Sequence, residues 1–170
     1  VQQGFRDPIW GERDNPAAEA HIASLGAAWA ESGRPIVIVR HDSVRAGSPL
    51  APGQPGNDLI PEVAALPSAL HVTKTVNSAF YGEPALEPWL REHGARQLVI
   101  VGIQTNMCVE TTARMAGNLG FAVIVPIDAT HPVALEGPAG LAPSAGPPPR
   151  PPPVAPDGGG VPRGRPRPTR

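Results

Sequence analysis

Four short runs rich in β-branched residues, separated by amphipathic stretches, constrain this chain more than any other feature. They are Pro35-Ile36-Val37-Ile38-Val39-Arg40, His71-Val72-Thr73-Lys74, Gln97-Leu98-Val99-Ile100-Val101-Gly102 and the segment from Ala122 to Ile127. The first is continuous and apolar, as a strand buried on both faces requires. Asn15-Pro16 supplies an N-cap followed by proline in the first helical turn. Ile22, Leu25 and Trp29 follow at helical spacing, and Ser32-Gly33 closes that helix. Leu86, Trp89 and Leu90 mark a second helix ending at Gly94, and residues 107–119 a third, closed by Gly120. Residues 42–69, rich in Pro, Gly, Ser and Asp, form a long excursion. Strands alternating with helices in this order make a parallel sheet through right-handed crossovers. The expected fold is α/β, a three-layer αβα domain with a parallel, Rossmann-like open sheet. It is incomplete at both ends, because no strand precedes Val1 and no helix or strand signal follows His131.

Composition places the boundary of that domain. The 24 prolines and 19 glycines are concentrated late, and all seven aromatic residues lie before residue 122. We expect a domain over 1–131 and a disordered Pro/Gly/Arg-rich tail over 132–170, since a segment so poor in large apolar side chains cannot bury a core. The tail includes Pro147-Pro148-Pro149-Arg150-Pro151-Pro152-Pro153, which reads as a plain extension, a product of frame-shifted translation, a basic anchor, or a ligand for an aromatic-lined groove. The first 130 residues carry 9 Lys+Arg against 13 Asp+Glu, and the remainder 5 against 2. An acidic body without a basic stripe argues against a nucleic-acid partner. No apolar run is long enough to span a membrane, and the start of the chain lacks the pattern of a secretory signal. One cysteine forms no internal disulfide, which suits a cytoplasmic protein.

The same cysteine is the candidate for chemistry. In an open parallel sheet, ligands bind beyond the carboxyl ends of the strands. Lys74 ends one strand there; Gly102-Ile103-Gln104-Thr105-Asn106 follows another, with Cys108 entering a helix. Unpaired N–H groups and the helix dipole stabilise a thiolate in a first turn, a nearby lysine adds to this, and the same N–H groups can serve an oxyanion. Taken alone, a single cysteine is more often a small buried hydrophobe, and a single lysine usually a solvated surface charge.

Val1-Gln2-Gln3-Gly4-Phe5, the strand-terminal Lys74 and Gly102-Ile103-Gln104-Thr105-Asn106-Met107-Cys108-Val109 together resemble the isochorismatase-like cysteine hydrolases. Val76-Asn77-Ser78-Ala79-Phe80, Thr112-Ala113-Arg114 and Asp128-Ala129-Thr130 fit the same pattern, in the same order, over 1 to about 131. The resemblance implies that Cys108 attacks the carbonyl carbon of a small amide, ureido or carbamoyl substrate and that Lys74 stabilises its thiolate. It places a cis peptide between Ile103 and Gln104, with the backbone N–H groups of Gln104 and Cys108 facing the oxyanion. Asn77 and Phe80 fall at the pocket wall. A small molecule is the implied partner, no cofactor is implied, and assembly as a homo-oligomer would follow the family habit.

The departures from the pattern matter equally. The family's third catalytic residue is an aspartate in a D-x-Q-x-x-F motif, whose place here is the position before Val1. Asp7 and Asp14 lie beyond the turn and are not expected to replace it. The expectation is a fragment lacking a central first strand and the usual final helix–strand unit, and hence either a hydrolase or an inactive chain that binds a small molecule without turnover. Nicotinamidase-like members hold a metal after the second strand; here that region reads Arg40-His41-Asp42-Ser43-Val44 with no further histidine until His71, so no metal is expected. The thiol favours C–N hydrolysis over the vinyl-ether cleavage of isochorismatases proper.

Overall fold

The computed structural model describes residues 1–11 and 13–133; the tail beyond residue 133 lies outside the described residues. Helix α1 (Ala18–Glu31) leads to strand β1 (Val37–His41). A short helix α2 (Pro61–Ala64) precedes β2 (Leu70–Lys74), and α3 (Leu86–Glu92) follows it. Then come β3 (Gln97–Val99), β4 (Gly102–Ile103), α4 (Glu110–Asn118), β5 (Ala122–Ile124) and β6 (Thr130–His131). Every paired strand runs parallel to its partner: β1 with β2, β3 with β5, β4 with β6.

Side-chain alternation along β1 shows the three layers directly. Val37 and Val39 pack into a cluster built on Val72, Leu86, Leu90 and Phe121, under α3 and α4. Ile38, between them, joins Ile22, Ile60 and Val63 under α1 and α2. A period of two sending neighbours to opposite helical layers is what a sheet covered on both faces demands.

The structure corrects several sequence expectations. Asn15 does not cap α1; its Nδ2 donates instead to the carbonyls of Asp128 and Thr130 at 2.9 and 2.8 Å, and the helix starts at Ala18. That long-range tie outcompetes the local cap because it satisfies two carbonyls at the edge of β6 with one amide. The run from Gln97 to Gly102 is not one ladder but two, interrupted between β3 and β4, and the strand expected to reach Ile127 ends at Ile124. Nor is β1 buried throughout: Ile38 is its one fully buried residue. The reason is an apolar cleft of about 450 Å³ onto which both β1 and β3 open, lined by Ile36, Val37, Val39, Leu98 and Val99. Among the described residues no strand bridges β1 and β3.

Close packing at the start of the chain explains one glycine. A Cβ on Gly56 would stand 2.4 Å from the Pro49 carbonyl and 2.8 Å from the Gly4 Cα, both backbone atoms unable to yield. This contact seats the residue 3–6 turn against the 42–57 excursion, beside the C-terminal end of β1.

Candidate active site

Parallel strands present their carboxyl ends along one edge, and His41 and Lys74, the last residues of β1 and β2, are paired in register there. Lys74 is 4% exposed. Its Nζ donates to the Val76 carbonyl at 2.9 Å and to Cys108 Sγ at 3.1 Å, and lies 3.3 Å from His41 Nδ1. An ammonium has three N–H donors and no lone pair; two are given to Val76 and Cys108, and the imidazole of His41 faces the third. The ammonium is thus held directly beside the sulfur.

Cys108 sits on a π-helical turn, Thr105–Val109, ahead of α4. This corrects the expected helix over 107–119, which would have put the thiol in a first α-helical turn. The N–H groups of Met107 and Val109 both turn back to the Gln104 carbonyl, at 3.3 and 3.1 Å, and the α-helix proper begins at Glu110. Gly102 has φ of 136°, a left-handed value that favours glycine even though a Cβ there would meet only Val109, at 3.9 Å. The peptide between Ile103 and Gln104 is cis. Single π turns recur at functional sites because they re-aim one side chain.

The walls around this pair are tied from several directions. Thr112 Oγ1 accepts from the Ala79 N–H at 3.1 Å, fastening the loop after β2 to α4. Asn77 stands half-buried on that loop, while Phe80 stacks on Phe121, centroids 6.3 Å apart, and spends its ring on the core. Asn106 and Val133 exchange hydrogen bonds at 2.8 and 3.3 Å. Asp14 accepts from His131 Nδ1 at 2.8 Å, and Asp7 from the Ile9 N–H at 3.0 Å, so both acids have structural partners away from the thiol. Among the described residues, Thr105 Oγ1 is a buried hydroxyl without a partner.

Sequence reasoning missed Gln2, Asn57 and His41. Gln2 is 2% exposed; its Nε2 donates to the carbonyls of His41 and Asn57, each at 2.9 Å, and its Oε1 accepts from the His41 N–H at 2.8 Å. Asn57 Nδ2 reaches Asp42 at 3.0 Å and the Leu50 carbonyl at 2.8 Å. These amides hold the end of β1 in place of a strand neighbour. For His41 a signal was available: it ends its strand as Lys74 ends the next. Among the described residues no three His, Cys, Asp or Glu stand together as a metal-holding group, and no helix is long and apolar enough to cross a membrane.

An isochorismatase-domain family model matches residues 1–138. The chain belongs to the isochorismatase family. The isochorismatase-family protein YrdC of Bacillus subtilis (strain 168) is 38% identical over 130 residues, covering 76% of this chain and 69% of YrdC. An isochorismatase-family crystal structure from Chromobacterium violaceum superposes with a TM-score of 0.77 at 43% identity, covering 85% of this chain and 74% of the other. The ureidoacrylate amidohydrolase RutB of Variovorax paradoxus is 42% identical over 86 residues, half of this chain and 34% of RutB. Amide hydrolysis is therefore among the activities of this chain's relatives, and the α/β fold is that of its family.

Proposed function

We propose that this isochorismatase-family chain is a metal-independent cysteine hydrolase cleaving a C–N bond of a small amide, ureido or carbamoyl compound. The observation that carries the reading is the 3.1 Å contact of a buried lysine ammonium with the sulfur of the chain's single cysteine. In this mechanism the Cys108 thiolate attacks the carbonyl carbon, and the π-electron pair moves onto oxygen. The oxyanion is met by the backbone N–H groups of Gln104 and Cys108, in the roles the family resemblance implies. Collapse breaks the C–N bond as the leaving nitrogen takes a proton from a water molecule, and water then cleaves the thioester to give the carboxylic or carbamic acid and the regenerated thiol. The test is ammonia release from a panel of small amides, ureido and carbamoyl compounds. Release is expected from at least one compound and is abolished by Cys108→Ala; release that survives that substitution refutes the nucleophile.

A second reading, binding without turnover, is favoured by one observation. Among the described residues, no carboxylate is hydrogen-bonded to Cys108 or to Lys74, so no acid stands ready to relay a proton. A panel member that raises the unfolding temperature yet releases no ammonia supports this second reading.

A further inference from the structure

The cluster around the buried Lys74 contains one titratable group that the mechanism above leaves unused. We infer that His41 is a positioning residue, which holds Lys74 against Cys108 by accepting one of its ammonium N–H bonds at Nδ1. The inference rests on the reading of Cys108 and Lys74 as the reactive pair, and concerns how that pair is kept in place.

Geometry carries it. A lysine side chain has four rotatable bonds, and Lys74 needs all three of its donors engaged to stay in one rotamer. Two acceptors, the Val76 carbonyl and Cys108 Sγ, come from a loop and from the thiol that reacts. The third, His41 Nδ1 at 3.3 Å, belongs to the neighbouring strand, in register with Lys74 itself. His41 is in turn clamped on both sides of its own backbone, its N–H by Gln2 Oε1 and its carbonyl by Gln2 Nε2 and Asn57 Nδ2, at 2.8, 2.9 and 3.2 Å. The backbone that carries this acceptor is therefore held by three side-chain hydrogen bonds.

The role requires a neutral imidazole whose proton is on Nε2, because a protonated ring would turn an N–H toward the ammonium. Burial first, and the charge of Lys74 second, hold His41 below its usual value, so the ring is neutral at pH 7. The opposing groups are Asp42, next in its own chain, and the Val76 carbonyl from the loop after β2. Asp42 is already engaged by Arg40 Nε at 2.9 Å and Asn57 Nδ2 at 3.0 Å. From the π turn the facing group is Cys108, through Lys74.

The test uses the whole chain and iodoacetamide, whose target is unambiguous because the chain has one cysteine. His41→Leu keeps bulk and removes the acceptor. His41→Asn places an amide oxygen near the Nδ1 position and cannot titrate. At pH 7 the leucine variant is expected to alkylate about threefold more slowly, and the asparagine variant to recover most of that loss. Below pH 6.5 the wild type is expected to lose rate more steeply than His41→Asn, as the imidazole protonates. The proposal is overturned if leucine leaves the rate unchanged, if both variants lose rate alike, or if the acid limbs coincide. Should the leucine variant fail to fold, the asparagine acid limb still decides. A wild-type rate no higher than that of the chain in denaturant overturns the reactive pair itself, and this inference with it.

Discussion

Replacing Lys74 with methionine tests the electrostatic core of the site. Methionine follows the same path through the protein but removes the charge 3.1 Å from Cys108 Sγ. At that distance, with an effective dielectric constant of about 20, a unit charge pair interacts by about 5 kcal/mol. Cys108 is partly exposed, and water reaching the sulfur reduces this to roughly half, about 2–3 kcal/mol. Each 1.4 kcal/mol is about a factor of ten, so the thiolate population falls by at most about two orders of magnitude. A less stabilised thiolate is a better nucleophile, and a Brønsted coefficient of about 0.4–0.5 returns close to half of the loss on a logarithmic scale. The net expectation is alkylation of Cys108 slower by up to about tenfold at pH 7, followed by mass spectrometry under pseudo-first-order iodoacetamide. Circular dichroism and the thermal midpoint of the variant show whether it stays folded. A folded Lys74→Met chain that alkylates at the wild-type rate refutes the claim that this ammonium stabilises the thiolate, and with it the observation carrying the proposed function.

Gln2→Leu removes three hydrogen bonds from a residue only 2% exposed, leaving the His41 N–H and the Asn57 carbonyl without that partner. At about 1–3 kcal/mol for each buried group left unsatisfied, the loss in stability is about 3 kcal/mol, read from the urea midpoint; a shift near zero would show that the 42–57 excursion does not depend on this amide. Thr105→Val replaces a buried hydroxyl, unpartnered among the described residues, with a methyl of the same shape. It is expected to stabilise the ligand-free chain by about 1 kcal/mol, and a destabilised variant would mean that the hydroxyl has a partner in solution.

Much of the architecture was legible because it is written in local pattern. The β-branched runs and the glycines that close helices at Gly33, Gly94 and Gly120, with φ of 69°, 65° and 89°, act within a few residues. Where a distant partner competed, local reading failed. Asn15 looked like a cap and became a clamp on Asp128 and Thr130; Gln97 to Gly102 looked like one strand and split where its pairing changed from β5 to β6. Cys108 was identified, but its π turn was not. Periodicity over 107–119 fits an α-helix, and the turn depends on how residues 102–104 enter it.

From residue order alone follow the strands, the helical layers and the identity of the thiol and lysine, because hydrophobic period and strand-end position are properties of short segments. The tertiary structure alone decided that Lys74 would meet Cys108 and His41. These contacts join residues 34 and 33 positions apart and form only once β1, β2 and the π turn share one edge of the sheet. It decided too that Gln2 would be a buried anchor rather than a surface amide. The reason is the same in both cases: a polar side chain takes whichever partner burial leaves within about 3 Å, and burial is set by the packing of the whole chain.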